Sequence, residues 1–367
     1  MKIGTVTYWN TQDNYGQVLQ CYALLTTLRD MGHDAFLIKY LPAPRQQSLV
    51  HLLITAVRYL SPSYRRTALM WRRLRRIAAT EALLHPRGFD QFRTEYIPST
   101  SRTYNENELE ETPPEADAYI CGSDQIWGVP NPVYFLQFGK ATTKRLAYAP
   151  SMGGITPKGK DKKTISTYLS RFDFISSREG KDVQTLHEMG FSQAIQQPDP
   201  TLLLSAGHYR QLSSSPKAAN PYIFLYLLGN ETAVKAKDIF DFAEKQGLAV
   251  RYVASQGQHD DLPKEYPTIA EWLGMVNDAA YVITNSFHGT IFCLHFNTPF
   301  MVLPVNKNIE RMNHRIYDLL GKYKLLHRIY DGSLQRLFES VDFDTFNKKK
   351  KQEEHEAKQN LARILTP

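Results

Sequence analysis

The sequence contains little cysteine and no long hydrophobic run. Its 367 residues include only Cys21, Cys121 and Cys293, which are far apart and have apolar neighbours. This spacing argues against a disulfide framework or a cysteine-based metal site, and it favours buried thiols in a reducing compartment. No apolar stretch approaches the roughly 20 residues that cross a bilayer, and the N-terminus does not resemble a signal peptide. We therefore expect a cytoplasmic location.

The common nucleotide-binding motifs are also missing. A strand, a polar loop and a helix follow one another at the N-terminus, but the three-glycine dinucleotide fingerprint and the phosphate-loop lysine motif do not occur. This disfavours a nicotinamide cofactor or nucleotide hydrolysis. No histidine and carboxylate cluster indicates a bound metal. We therefore expect neither a cofactor nor a metal.

The net charge of +7 is concentrated in one segment. Residues 45–93 contain ten arginines but only two acids, Glu81 and Asp90, and Trp71, Met70 and other apolar residues are interleaved with the densest arginine run. Two interpretations remain open: a solvated helical insertion, or a segment that lies on an anionic membrane surface. Nucleic acid is disfavoured as a partner because no other part of the chain resembles a nucleic-acid module.

Strand and helix patterns alternate through most of the chain, which predicts an α/β protein with mainly parallel sheets. Residues 205–220 are rich in serine and poor in apolar residues, as a domain boundary is. We predict an N-terminal domain over residues 1–205 with a basic insertion near 44–94, and a C-terminal domain over 206–330. A helical tail follows over 331–367, and its lysine run at 348–351 is expected to be solvated.

One strand end carries a histidine next to a glycine. Residues 281–284 predict a buried strand, Asn285 and Ser286 interrupt the apolar pattern, and a largely apolar helix follows Gly289. His288 is therefore expected at the carboxyl end of a strand, where open α/β sheets bind ligands. The alternative is a histidine that only caps the turn.

Three other predicted strand ends carry polar residues. Asn14 or Asp13 is placed to cap a helix whose first turn includes Gly16, an arrangement that binds anions. Asp124 follows a second strand and is a candidate base, although a capping role is the common alternative. Arg178 follows a third strand and suits a carboxylate or phosphate, with an ion pair to the adjacent acid as the alternative.

Several motifs in this order resemble those of the polysaccharide pyruvyl transferase family. The motifs are Asn14-Tyr15-Gly16 with Gln20, and residues 121–127, 148–153, 177–179, 199–201 and 286–290. The resemblance implies two Rossmann-like domains facing a cleft, similar to GT-B glycosyltransferases. It also implies transfer of a pyruvyl group from phosphoenolpyruvate to a sugar of a surface polysaccharide or its lipid-linked precursor.

The resemblance further implies roles for individual residues. His288 matches the histidine expected to act as the general acid, and Asp124 is the candidate base. Arg178 matches an arginine that contacts the donor. The remaining expected substrate-binding residues are Asn14, Tyr15, Gly16, Gln20, Ser123, Gln125, Asn285, Ser286, Gly289, Thr290, Lys307 and Arg311. Arg315 is a further cationic candidate, for which a surface-helix position is favoured.

One position departs from the family pattern. Well-studied members have arginine two residues before the histidine, whereas this chain has Ser286. Serine offers one hydroxyl where a charged, bidentate group is expected, so Lys307 or Arg311 would have to supply the positive charge. Two alternative functions therefore remain open. They are a GT-B-like glycosyltransferase with a nucleotide-sugar donor, and a non-catalytic member that binds glycan.

Overall fold

A computed structural model describes residues 1–43, 57–214, 220–229, 232–256, 258, 260–305 and 309–366, with backbone only for 309–313. Its ten strands form two parallel sheets, one of six strands in the order β2-β1-β3-β4-β5-β6 and one of four in the order β10-β9-β7-β8. The strands are β1 (Lys2–Val6), β2 (Asp34–Leu37), β3 (Ala118–Cys121), β4 (Lys144–Ala147), β5 (Phe174–Ser177), β6 (Ile195–Gln196), β7 (Tyr222–Leu227), β8 (Ala249–Ala254), β9 (Tyr281–Thr284) and β10 (Phe300–Val302).

Helices connect most of these strands, which is why the sheets are parallel. They are α1 (Tyr15–Asp30), α2 (Pro62–Leu84), α3 (Phe89–Tyr96), α4 (Glu106–Glu111), α5 (Gly159–Leu169), α6 (Gly180–Glu188), α7 (Ala206–Leu212), α8 (Ala236–Lys245), α9 (Ile269–Asp278), α10 (Phe287–Phe296), α11 (Ile309–Lys322) and α12 (Phe343–Ile364). The predicted α/β class with two parallel, Rossmann-like units is confirmed. In the part of the chain that the structure describes, no helix is both long and apolar enough to span a bilayer.

The central strands are buried along their whole length. All four residues of β3 and all six of β7 are inaccessible, as expected where helices cover both faces of a parallel sheet. The three cysteines are unpaired and buried, as the sequence predicts, and burial raises the pKa of Cys21 to about 12. None of them is therefore a ready nucleophile.

The two sheet units are joined by an aromatic contact at the start of α1. The Tyr15 ring stacks on Trp272 of α9 with the ring centroids 5.1 Å apart, and the Tyr15 hydroxyl donates a 2.7 Å hydrogen bond to the carbonyl of Pro267. Tyr15 is completely buried. The amino end of α1 is thereby fixed against the second sheet unit.

The final helix α12 packs back on the first sheet unit. Phe346, Ala357 and Leu361 belong to the same apolar core as α1, and the Lys350 ammonium donates a 2.8 Å hydrogen bond to the carbonyl of Leu204. Lys350 is buried, so the expectation of a fully solvated lysine run is wrong at this position. The boundaries at 205 and 330 stay predictions.

Candidate functional site

Strand ends from both sheets contribute side chains to one buried cluster. Ser123 follows β3, Arg178 follows β5, Asp199 follows β6 and His288 follows β9, and all four are buried. Parallel strands end at the same edge of their sheet, so residues distant in sequence converge there. The cluster lies where the carboxyl edges of the two sheets meet.

Asp199 is the centre of this cluster. One carboxylate oxygen accepts hydrogen bonds from Ser123 Oγ and Arg178 Nη1, both at 2.9 Å. The other accepts from the amide and hydroxyl of Thr201, at 3.0 and 2.7 Å. Burial alone would raise the pKa of Asp199, but the charge of His288, together with Arg178 and Thr201, holds that pKa well below its usual range. Asp199 is therefore an anion at neutral pH.

The Arg178 guanidinium contacts Asp199, Glu179 and Phe287, and one of its nitrogens is left without a hydrogen-bond partner among the described residues. Its Nε donates to Glu179 Oε1 at 2.8 Å, and its guanidinium lies 4.3 Å from the centre of the Phe287 ring. The ion pair with Glu179 that the sequence left as an alternative is thus present. Burial would lower the pKa of Arg178, but the charges of Glu179 and Asp199 raise it. Its Nη2 atom is buried and has no hydrogen-bond partner among the described residues.

A second guanidinium, from Arg315 of α11, lies on the same aromatic ring. Its carbon is 5.6 Å from the centre of the Phe287 ring. With its oxygen turned toward Arg315, the Gln125 amide accepts from the guanidinium nitrogens at 2.7 to 2.9 Å. Burial and the positive charge of Arg178 lower the pKa of Arg315 to about 10, so it remains a cation at neutral pH. The favoured surface position of Arg315 is therefore wrong.

Arg178, Arg315, Asp199 and Phe287 line a narrow cavity of about 20 Å³. That volume is enough for roughly one or two water molecules. A substrate of several non-hydrogen atoms does not fit within this volume.

The His288 ring lies against the backbone of Gly16. A Cβ atom at position 16 would be only 2.2 Å from Cγ and Nδ1 of His288, closer than side chains approach one another. The other ring nitrogen, Nε2, is 3.4 Å from Asp199 Oδ2 but lacks hydrogen-bond geometry to any described residue. The amino ends of α1 and α10 meet here, and both helix dipoles favour an anion.

The Asp124 side chain takes part both in the candidate site and in a local turn. It has a φ of 81°, an unusual conformation for a residue with a side chain. One carboxylate oxygen accepts from the Gln125 amide at 2.8 Å, and the other from Gln17 Nε2 at 3.4 Å. The turn interaction that the sequence left as an alternative is present. Its role as a base stays a prediction.

Three expected binding residues near the N-terminus make internal hydrogen bonds. Asn14 caps α1 by accepting from the Gln17 amide at 3.2 Å. Gln20 donates to Thr7 Oγ1 at 3.0 Å, and Tyr15 makes the contact with the second sheet unit described above. Each of these three residues therefore has a structural role, and its role in substrate binding stays a prediction.

The same holds for the polar residues around His288. Asn285 bridges the backbone of Leu228, accepting from its amide and donating to its carbonyl at 2.8 Å each. Ser286 caps α10 by accepting from the Gly289 amide at 3.1 Å, and Thr290 donates to the Ser286 carbonyl at 2.9 Å. Ser286, and not His288, is therefore the helix cap, which leaves the imidazole available for chemistry.

Two expected cations cannot be placed. Lys307 lies outside the described residues, and so does the side chain of Arg311. Among the residues that are described, no three or more histidine, cysteine, aspartate or glutamate side chains are grouped to hold a metal ion.

Comparison with known families gives one match, to the model described as "Polysaccharide pyruvyl transferase", over residues 14–307 of the 367. The chain belongs to the polysaccharide pyruvyl transferase family. It is therefore a transferase. The matched range includes every strand end of the cluster, whereas Arg315 lies beyond it.

Solved structures give low-identity matches to this transferase. A UDP-GlcNAc 2-epimerase from Neisseria meningitidis is 9% identical over 100% of this chain and 99% of its own, with a TM-score of 0.45. The UDP-GlcNAc 2-epimerase from Methanocaldococcus jannaschii is 9% identical over 92% and 90%, with a TM-score of 0.49. A glycosyltransferase from a Streptomyces species is 10% identical over 97% and 96%, with a TM-score of 0.39. At these levels neither substrate nor reaction carries over. Comparison with curated proteins gives no match.

Sequence reasoning missed two members of the transferase's cluster. From the sequence, Asp199 was named only within a motif. Its position after a short strand and before Pro200 indicates a residue at the end of a strand. Glu179 was considered only as a partner for Arg178. Both are buried carboxylates in direct contact with the Arg178 guanidinium.

Proposed function

We propose that this transferase moves the pyruvyl group of phosphoenolpyruvate to two hydroxyls of a sugar, in a surface polysaccharide or its lipid-linked precursor, at the inner face of the cell membrane. The observation that carries the proposal is a pair of guanidiniums, from the buried Arg178 and the half-buried Arg315, that both lie against the Phe287 ring, which in turn contacts the ring of His288. Two fixed cations next to a histidine suit a small donor that carries both a carboxylate and a phosphate.

The unused hydrogen-bonding capacity of the cluster supports an anionic donor. Arg178 Nη2 is buried and has no hydrogen-bond partner in the described structure. Burying an N–H group without such a partner costs about 1–3 kcal/mol or more. A carboxylate or phosphate oxygen at this atom would remove that cost. Arg315 supplies a second cation from helix α11, whereas Ser286 supplies no charge and caps α10.

His288 is the proposed general acid. Its Nε2 atom is free of hydrogen bonds, and the anionic Asp199 lies 3.4 Å away. Proton transfer from the imidazole to the methylene carbon of the donor gives a carbon with cation character, which the first sugar hydroxyl attacks. The bond to the phosphate oxygen then breaks, the second hydroxyl closes the ketal, and inorganic phosphate leaves.

The reaction also needs a group that removes hydroxyl protons. Asp124 is the proposed base, because it lies at the strand end next to Ser123 and its charge acts on both Arg178 and Arg315. Of the two protons released by the sugar hydroxyls, one restores His288 and the other leaves with phosphate. The balance requires neither a redox partner nor a metal.

Donor binding provides the direct test. Phosphoenolpyruvate should raise the melting temperature of the purified chain, because a ligand that binds only the folded state stabilises it. Arg315→Gln should weaken this binding about 10- to 100-fold, the value of one charge-assisted hydrogen bond. Arg171→Gln is the matched control, since Arg171 is an exposed arginine outside the cluster.

Turnover is then followed as phosphate release, with an acid-labile pyruvate ketal as the second product. Sugar acceptors are supplied both free and lipid-linked. Stabilisation by nucleotide sugars with no response to phosphoenolpyruvate would reject the proposed donor and favour a glycosyltransferase. An unchanged product yield after His288→Ala would reject the proposed acid.

A further inference from the structure

Helix α2 is largely exposed, and only six of its residues are half-buried. None of its 23 residues is buried, although surface helices of globular proteins normally bury an apolar stripe. Leu69 is 61% exposed, Met70 51% and Leu84 68%. Large apolar side chains held in water in this way mark an interaction surface.

The exposed apolar residues alternate with arginines on one side of α2. Arg66, Leu69, Met70, Arg73 and Ile77 recur at intervals of three and four residues, so they share one face of the helix. The whole helix has six arginines and one acidic residue. Apolar side chains between long cationic ones suit the headgroup region of a bilayer, where the apolar groups insert and the guanidiniums reach lipid phosphates.

The carboxyl end of α2 is fixed to the second sheet unit. The ring of His85 stacks on that of Tyr266 with centroids 4.1 Å apart. The buried Arg87 donates a 2.9 Å hydrogen bond to the carbonyl of Ala254 and lies 5.2 Å from the Tyr266 ring. A cavity of about 640 Å³ occupies the angle between α2 and the segment that carries Tyr266. Ile77 of the exposed face is also part of the lining of this cavity, so whatever binds that face lies beside the cavity.

We propose that α2 docks the chain on an anionic lipid bilayer, with Leu69, Met70 and Ile77 inserted among the headgroups and Arg66 and Arg73 on the lipid phosphates. The apolar residues favour lipid over nucleic acid as the partner, because binding to a phosphate backbone does not involve the insertion of Leu and Met side chains. The benefit of docking rests on the proposed function, because an enzyme bound to the bilayer meets a lipid-linked acceptor at the membrane surface.

The test is co-sedimentation of the full chain with vesicles of phosphatidylcholine mixed with phosphatidylserine, and with vesicles of phosphatidylcholine alone. The charge variant Arg66→Gln, Arg73→Gln, Arg76→Gln includes Arg76 because it lies seven residues after Leu69, at the edge of the same face. This variant should bind the mixed vesicles about 10²-fold more weakly, since each arginine contributes roughly fivefold. The apolar variant Leu69→Ser, Met70→Ser, Ile77→Ser should lose about tenfold or more. The control Lys348→Gln, Lys349→Gln, Lys351→Gln removes the same charge from exposed lysines of α12 and should bind normally.

Binding that needs phosphatidylserine, weakens with salt and is reduced in both α2 variants supports the proposal. Lack of sedimentation with mixed vesicles, or equal binding to phosphatidylcholine alone, overturns it. Preference for a duplex oligonucleotide over mixed vesicles also overturns it and assigns α2 to nucleic acid. Stabilisation by phosphoenolpyruvate, measured on the same variants, separates the two proposals, because donor binding does not involve α2.

Discussion

Alanine at position 16 tests how closely the two sheet units approach at His288, the proposed general acid. The added Cβ would lie 2.2 Å from Cγ and Nδ1 of His288, whereas carbon atoms normally approach to about 3.5–4.0 Å. The overlap exceeds about 1 Å, so either the imidazole or the whole amino end of α10 has to move. A displacement of this size at reacting groups costs about 10²-fold in rate.

The stability of Gly16→Ala should change much less than its activity. Overpacking of a buried site costs about 1–3 kcal/mol, and replacing glycine in a helix returns up to about 1 kcal/mol. The net loss of about 1–2 kcal/mol corresponds to a melting temperature lower by only about 1–3 °C for a chain of this length. Phosphate release should therefore fall about 10²-fold in a protein that is still folded at the assay temperature.

Gly207→Ala is the matched control, because Gly207 is also the second residue of a helix and has open space around it, with Ser205 Oγ at 3.6 Å. Combining Gly16→Ala with His288→Gly should remove the stability loss, since the clashing atoms are gone; the coupling expected for residues in contact is about 0.5–3 kcal/mol. A Gly16→Ala protein with normal turnover, or a purely additive double variant, would refute the close approach.

Three further predictions concern other parts of the cluster. Asp199→Asn should lower the free energy of unfolding by about 3–5 kcal/mol, because it breaks one of the two buried ion pairs of Arg178 and leaves that cation with Glu179 alone, and chemical denaturation measures this loss. Ser286→Ala should cost about 1 kcal/mol through the lost helix cap with an unchanged KM for phosphoenolpyruvate; a raised KM would instead place Ser286 in the donor site. Burial and the charge of Lys350 lower the pKa of His295 to about 3, so the unfolded chain binds a proton below about pH 6.5 that the folded chain does not. Stability should therefore fall by about 2 kcal/mol from this group between neutral pH and pH 5, and His295→Gln should show a correspondingly weaker decline in thermal stability.

The strand-end residues could be predicted from the sequence because they follow from local pattern and general geometry. Short apolar runs marked the strands, and parallel sheets bring their carboxyl ends together. His288, Arg178 and Ser123 were placed in this way, and the structure brings them together around Asp199. The sequence predicted an anion-binding helix start at Gly16 but not the approach of the His288 ring to its backbone.

Arg315 could not be placed by this reasoning. It lies within a helix and not at a strand end, and the side of α11 that faces inward depends on how the helix packs against α10 after a loop. Helical periodicity shows which residues share a face but not what that face contacts. The partners of Tyr15, more than 250 positions away in sequence, were beyond local pattern for the same reason.

The packing of α12 has a practical consequence for work with this enzyme. Asp199 caps the Thr201 amide in the short helical turn Pro200–Leu203, and this turn lies beside α1, α10 and α12. The position of the central carboxylate is thus supported by the last helix of the chain, through contacts that include Lys350 on the Leu204 carbonyl. A version of the chain shortened before Phe343 should therefore show altered donor affinity.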